Sequence, residues 1–473
     1  MKPIEFINQD KYKKLTKMLL CVVSVTLCAI NTLLIFNNNF WCDEIASIMI
    51  SEMPIGELIS TTAMDVHPPL YYLILKIICL IFGFTGPVFH AVSLVPYVII
   101  LVLSLTLIWK KLNPIVSVVL IVLSSLLYCS MHFNVEVRMY SWASLFILLS
   151  FCYFREILAE NKVESYILFA LFSLLAAYTH YFCIITVACL YVSIMIFSIR
   201  NKGNRIKRTI ITWILTVILY LPWAISFIGH YSKVTDKIYS ATYNSIGACL
   251  EYIFNSKFSW GLLAFFLIIA VVTIIKYASS AEKTWIITGI LAVFFTILVP
   301  YIISIIMSPI MEKRHVYPSF IIAWVLLGYC ISKCRYKWAY LLTIALLIVV
   351  PGVKALRLAY TEENGASNAV EEFLDKTFEL DAASDIVISN EWQICYALIP
   401  YYYSEDIRVW QSEDEADIIS YINNSAQENV WLFITDDIVN GFQNRLKNQG
   451  ISTTTVIENG YLGSIRIWVY RTI

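Results

Sequence analysis

Charge is scarce in this chain. Asp, Glu, Lys and Arg supply 14% of 473 residues, hydrophobic residues supply 59%, and mean hydropathy is +0.71. That composition excludes a water-soluble globule and indicates a polytopic membrane protein. Basic and acidic residues number 34 each, with no basic stripe, so nothing points to nucleic acid. The twelve cysteines are scattered singly, most of them inside apolar runs. The closest pairs, Cys183 with Cys189 and Cys330 with Cys334, lack metal-site partners, so neither a disulfide framework nor a zinc site is implied. Glycine-rich loops are missing too: Gly441, Gly450, Gly460 and Gly463 stand alone near the C-terminus, which gives that region no phosphate loop. No internal repeat or low-complexity segment is evident.

What is present is a succession of apolar runs. The first, Met18 to Phe36, follows Lys11, Lys13, Lys14 and Lys17. It is too long for a signal-peptide core and lacks a small-residue cleavage site, so it reads as an uncleaved first span with a cytoplasmic N-terminus. Further runs cover Pro69–Phe84, Val88–Trp109, Pro114–Met131, Tyr140–Phe154, Tyr166–Thr179, Phe182–Ile199, Ile210–Ile228, Trp260–Ile275, Trp285–Met307, Tyr317–Ile331 and Trp338–Val350. The fold expected is a polytopic α-helical membrane domain over residues 1–355, of about 11–13 spans by the apolar runs. The basic segments Arg200–Arg208 and Lys333–Lys337 are expected in the cytoplasm. Crossings counted from an external first loop to a cytoplasmic Arg200 loop have the wrong parity, so one run is not a full crossing or two form one.

From about residue 360 to 473 the chain is polar. Its pattern reads helix (Ser367–Lys376), strand (Asp385–Ser389), helix (Glu391–Tyr403), strand (Ile407–Trp410), helix (Glu415–Asn424), strand (Val430–Thr435), helix (Asp437–Gln449) and paired strands to Arg471, a small α/β domain.

The loop of residues 37–68 carries the most informative pattern. It holds carboxylates at a membrane face, Asp43 and Glu44 at its start and Asp65 just before His67-Pro68-Pro69, where charge serves chemistry or ions more often than stability. Ile45, Ile48, Met49 and Met53 share one face of a short helix; Ile55, Leu58 and Ile59 share one face of a second starting at Pro54. Two such surface helices would return His67 near Asp43. Helix capping is the plainer role open to Asp43 and Asp65.

Three further polar clusters interrupt apolar sequence: His132 to Tyr140, with Arg138 leading into a span; Thr179-His180-Tyr181; and Met311 to Pro318, with Lys313, Arg314 and His315. Alone, such an arginine is an ordinary snorkelling anchor and such a histidine an ordinary interhelical donor. Together, a carboxylate, guanidinium groups and imidazoles at membrane boundaries suit an anionic ligand whose tail lies in lipid. Arginine grips phosphate with a planar donor fork, and a carboxylate takes a proton from an attacking hydroxyl.

Asp43-Glu44, then HPPLYY at His67–Tyr72, EVRMYS at Glu136–Ser141, YTHYF at Tyr178–Phe182 and KRHVYPSF at Lys313–Phe320 follow an order that resembles the GT-C integral membrane glycosyltransferases of the family 39 and ArnT-like group, relatives of the protein O-mannosyltransferases. The resemblance covers about three quarters of the chain. It implies transfer of a sugar from a polyprenyl-phosphate donor to an acceptor glycan, lipid or protein at the outer face of the cell membrane; attack by the acceptor opposite the phosphate would invert the anomeric centre. It implies that Asp43, beside Glu44, orients or deprotonates the acceptor hydroxyl. Arg138, Arg314, Lys313 and His315 are then candidates for holding the departing phosphate, and Asp65, His67, Tyr140 and His180 for binding substrate. The C-terminal α/β domain, 360–473, is similar to extracytoplasmic domains carried by such proteins. The family's arginine followed by Pro-Tyr is here Arg138-Met139-Tyr140, and its later Arg-Tyr is Arg314-His315. No protein metal site is assigned, and dependence on a divalent metal stays open. Two other classes remain: a secondary transporter using Asp43, Glu136 and His180 as an ion path, against which the absence of repeated halves speaks, and a non-catalytic lipid-phosphate scaffold, which would keep the arginines without needing Asp43.

Overall fold

A computed structural model describes residues 9–334 and 370–472, apart from 38, 66, 238–243, 255–258, 308, 371, 378–379, 382, 425–428, 440 and 463–464. The run Trp338–Val350 lies outside the described residues, and the helix expected over Ser367–Lys376 is described only in part, helical at Val370 and over 372–376. The chain divides into two compact units, one of residues 1–35 and 50–359, the other of residues 36–49 and 360–473.

The first unit is helical. Among the described residues, six helices are long and apolar enough to cross a membrane: Lys14–Phe36, Gly86–Lys111, Tyr140–Glu160, Tyr181–Asn201, Asn204–Ser226 and Ser280–Ile306. Pro114–Leu126 and Tyr128–Val135, bent by 72° at their junction, are long and apolar enough as a pair, and Leu70–Phe82, Val163–Thr179, Trp260–Lys276 and Tyr317–Lys333 are shorter apolar helices. Leu20, Leu27 and Leu34 of the first helix pack with Leu94, Tyr97, Leu101, Ile121 and Val135. Within lipid such apolar contacts are weakly selective, so buried polar groups fix the partners: Asn134 Nδ2 donates to Asn31 Oδ1 at 3.1 Å and Tyr97 Oη to Ser125 Oγ at 2.8 Å.

The helix bonds also resolve the parity. Tyr71, at the start of the Leu70–Phe82 helix, meets Ser93 Oγ at 3.2 Å, and Ser93 Oγ donates to the Arg138 carbonyl at 3.3 Å. His90 Nδ1 lies 2.8 Å from the Val135 carbonyl. The far end of the Leu70–Phe82 helix joins Gly86, seven residues and about 10 Å of helix rise from Ser93. Both ends of that 13-residue helix therefore lie at one membrane face, and it does not cross. Five crossings remain between His67 and Arg200, which puts those residues at opposite faces. The side of Arg200 also carries Lys111 paired with Glu156, and Lys333 paired with Glu282 at 3.2 Å.

The first-loop helices form as expected, Cys42–Glu52 and Ile55–Ala63, with Pro54 at the N-cap position of the second. Ile45, Ile48 and Leu58 are buried, whereas Ile55 and Ile59 are exposed, apolar groups suited to a lipid interface. Lys76, alone in its apolar helix, donates to the carbonyls of Ser51 at 3.0 Å and Glu52 at 3.4 Å. It thereby satisfies orphan groups at the end of the Cys42–Glu52 helix, where a cation is favoured.

Two helices approach backbone to backbone at Gly328, where an added Cβ would stand 2.8 Å from the Val116 Cα; at Gly261 it would meet nothing within 4 Å. Backbone cannot yield as a side-chain tip can, so Gly328→Ala is expected to cost about 1–3 kcal/mol. Gly261→Ala is expected to be neutral or stabilising. Thermal unfolding of the two purified variants checks this: an equal Tm for both would contradict the close approach.

The second unit holds a five-stranded sheet of order β2-β1-β3-β5-β4. Its strands are β1 (Asp385–Ser389), β2 (Arg408–Gln411), β3 (Asn429–Thr435), β4 (Thr453–Leu462) and β5 (Ile465–Thr472). β1 runs parallel to β2 and β3, while β5 is antiparallel to β3 and β4. β1 and β3 are central and buried on both faces, which explains their unbroken apolar runs. The helix expected over Asp437–Gln449 is two short helices, Asp436–Val439 and Phe442–Asn448. The chain turns between them at Gly441, whose φ is 73°, a conformation that favours glycine. In the same unit the Phe40 backbone N–H donates to Tyr402 Oη at 2.7 Å, and the Phe40 and Tyr401 rings meet edge-on at 5.7 Å.

Candidate functional site

Four loops of the membrane unit converge. His67 precedes Pro68 and Pro69, which start the Leu70–Phe82 helix with Pro69 at its N-cap. Arg138 lies in the turn between Tyr128–Val135 and Tyr140–Glu160, tightened by a bond from its own N–H to the Glu136 carbonyl at 2.6 Å. His180, in extended conformation, separates the helices Val163–Thr179 and Tyr181–Asn201. Arg314 and His315 occupy the turn before Tyr317–Lys333, where the Tyr317 N–H bonds the Arg314 carbonyl at 3.2 Å.

The three imidazoles form a triangle. Ring centroids lie 5.5 Å apart for His67 and His180, 5.9 Å for His67 and His315, and 5.1 Å for His180 and His315. Tyr140, fully buried, stands 5.8 Å from His180 and 6.4 Å from His315, and Phe182 closes another side 5.1 Å from His315. The imidazoles meet one another tilted or edge-on. Among the described residues no group of three or more His, Cys, Asp or Glu side chains is arranged to hold a metal ion.

His180 is the most informative member. It is 2% exposed, and its Nδ1 accepts the Phe182 backbone N–H at 3.1 Å, capping the Tyr181–Asn201 helix. An accepting Nδ1 carries no proton, so in the neutral ring Nε2 carries it. That Nε2 is buried and has no hydrogen-bond partner among the described residues, as is true of Nδ1 in His67 and Nδ1 in His315. Buried polar atoms of this kind are rare unless a ligand or an ordered water completes them.

The electrostatics agree. Burial, followed by the charges of Arg138 and Arg314, lowers the pKa of His180 to about 3. Burial, then Arg138, the other two imidazoles and Arg314, holds His67 well below its ordinary value, and burial, His180, Arg314 and Arg138 do the same for His315. At neutral pH the imidazoles are uncharged, and the positive charge of the cluster belongs to Arg138 and Arg314.

Other expected site residues fall elsewhere. Lys313 is exposed, with Nζ 5.0 Å above the Tyr252 ring and its backbone N–H on Asn244 Oδ1 at 2.8 Å. Asp65 accepts from Tyr72 Oη at 3.4 Å, which ties its carboxylate to the Leu70–Phe82 helix. Asp43 and Glu44 belong to the second unit, in the first turn of Cys42–Glu52. Glu44 is buried and its Oε2 accepts the Trp41 N–H at 3.3 Å, the third helical residue closing back on the N-cap. Asp43 sits at the second helical position, two residues beyond the N-cap Trp41. Glu136, a candidate for an ion path, lies 3.6 Å from His132 Nε2. The residues sequence reasoning missed are supports: His90, which positions the Val135 carbonyl, and Lys76. Each had a signal, a lone ionisable group inside an apolar run.

No family model matches the sequence, and no curated protein matches it. Solved structures do. The chain is similar to ArnT from Cupriavidus metallidurans in the apo state, with TM-score 0.62 and 10% identity, covering 95% of this chain and 97% of that one. It is similar to the same protein bound to undecaprenyl phosphate, with TM-score 0.63 and 11% identity, covering 96% and 97%. The oligosaccharyltransferase AglB from Archaeoglobus fulgidus gives TM-score 0.45 at 9% identity, over 89% of this chain and 69% of that one. The fold is thus GT-C-like, a multi-pass helical membrane unit with a small sheet-bearing C-terminal domain.

Proposed function

We propose that this protein is an integral membrane glycosyltransferase that moves a sugar from a polyprenyl-phosphate donor to a hydroxyl-bearing glycan, lipid or protein. The observation that carries the reading is the His180 Nε2–H, a buried donor without a partner beside two guanidinium groups, at the membrane boundary of a GT-C-like fold. An ArnT structure contains undecaprenyl phosphate, which supports a donor of that class. Arg138 and Arg314 supply the charge and planar forks for the phosphate, and His180 supplies a neutral, oriented donor. A sugar phosphate already has a good leaving group, so catalysis rests on donors that stabilise the departing phosphate.

The acceptor oxygen bonds to the anomeric carbon as the bond from that carbon to the phosphate oxygen breaks. The phosphate departs with the electron pair, and the acceptor proton goes to a carboxylate. We assign that carboxylate to Asp43 on its place in the first-loop motif; Glu44 is engaged in its helix's first turn. Attack opposite the phosphate inverts the anomeric centre. The cation-rich side that includes Arg200 is then cytoplasmic, the histidine cluster faces outward, and the C-terminal domain is assigned to the outside as well.

The test uses His180→Asn. Asparagine is a good N-cap, so it keeps the bond to the Phe182 N–H and loses the reach of Nε2. A hydrogen bond to a charged group is worth about 1.5–3 kcal/mol, so undecaprenyl phosphate should bind the purified full chain about tenfold more weakly or worse, at an unchanged Tm. Binding equal to the parent's would reject His180 as a phosphate ligand, and no saturable binding by the parent would reject the donor class.

A further inference from the structure

A groove of about 800 Å³ runs between the Tyr181–Asn201 and Ser280–Ile306 helices. Its walls are apolar, including Ala188, Ile196 and Leu291, and Arg200 and Lys283 line one end. Ser193 and Thr288, also among its lining residues, join across it at 2.6 Å, satisfying their hydroxyls and leaving the walls apolar.

Position separates this groove from the histidine cluster. Arg200 lies twenty residues beyond His180 along one helix, about 30 Å of rise, at the opposite membrane face. Nearby cations are occupied: Arg205 donates to the Ile157 carbonyl at 2.6 Å and Arg208 to the Asn161 carbonyl, closing the end of the Tyr140–Glu160 helix. Lys333 is paired with Glu282. Arg200 and Lys283 are exposed and have no acidic partner within salt-bridge distance among the described residues. Two cations at the end of an apolar slot inside a membrane complement a molecule with a phosphate head and acyl tails.

We infer that the groove between these helices is a binding site for an anionic bilayer phospholipid, with its acyl chains along the Ala188 and Leu291 walls and its phosphate held by Arg200 and Lys283. The site is independent of the transfer reading, since none of its residues belongs to the histidine cluster. Its occupant comes from the leaflet on the Arg200 side, the face richer in anionic lipid if that side is cytoplasmic.

The experiment is native mass spectrometry of the full chain, released from detergent with phosphatidylglycerol or phosphatidylcholine of identical chains. The parent should retain phosphatidylglycerol with at least tenfold preference. Arg200→Gln with Lys283→Gln should abolish the preference, while Arg200→Lys with Lys283→Arg should keep most of it and so control for folding. Ala188→Trp, which fills the slot and leaves both cations, should reduce retention of phosphatidylglycerol several-fold. Equal retention of the two lipids by the parent, undiminished preference in the glutamine variant, unchanged retention by Ala188→Trp, or displacement of phosphatidylglycerol by equimolar undecaprenyl phosphate would each overturn the assignment.

Discussion

Arg138→Lys and Arg314→Lys are each expected to lower kcat/KM for a polyprenyl-phosphate sugar by about tenfold or more, and the alanine variants by more. Lysine keeps the charge but loses the planar fork that meets two phosphate oxygens at once. The cluster is sensitive to this because the neighbouring imidazoles are held neutral and contribute no charge of their own. A desolvated charge-assisted bond contributes roughly 1.5–3 kcal/mol, which converts to a rate loss of about tenfold to a hundredfold. An arginine that merely anchors the helix to the interface accepts lysine without loss, because both side chains reach the headgroup region. The measurement is kcat/KM for the donor, with Tm recorded beside it: Arg138 is 4% exposed, and its carbonyl is held by Ser93, so a fold defect must be separated from a binding defect. Lysine variants that match the parent would move the phosphate elsewhere.

Asp43→Asn is expected to abolish transfer while the protein stays folded and membrane-inserted. The carboxamide keeps shape and hydrogen-bonding capacity but cannot accept the acceptor's proton at neutral pH. Its position at the second helical residue makes the structural cost small, since a lost charge in the first turn is worth about 0.3–1 kcal/mol. Glu44→Ala, which removes the side-chain acceptor, is the paired control. That glutamate closes the first turn onto the Trp41 N–H, so its loss should reduce Tm more than it reduces turnover. Near-normal transfer by purified Asp43→Asn protein, assayed with a radiolabelled polyprenyl-phosphate sugar, would remove the base assignment and favour the non-catalytic scaffold, which needs the arginines and not Asp43.

The sequence by itself determined the solvent, the element types and the chemistry of the candidate site. Long apolar runs can satisfy their backbone in a bilayer only as helices or closed barrels, and at these lengths as helices. The short apolar runs and turn signals after residue 380 located β1 to the residue and the Glu415–Asn424 helix likewise. Arg138, His180, Arg314 and His315 were legible because a polar group between apolar runs is costly and so stands out. Tertiary structure alone decided the rest. The Leu70–Phe82 segment is as apolar as its neighbours, so hydropathy could not exclude it as a span; the bonds of Tyr71, Ser93 and His90 did. Lys313 and Arg314 are adjacent and both cationic, yet the turn before Tyr317 leaves one exposed over Tyr252 and sets the other beside the imidazoles. The tautomer of His180 depends on the Phe182 N–H, a partner two residues away that becomes available only when the helix starts at Tyr181. Sequence gives which side chains are polar and costly to bury, while which of their atoms remain without a partner is set by three-dimensional packing, and those atoms mark the site.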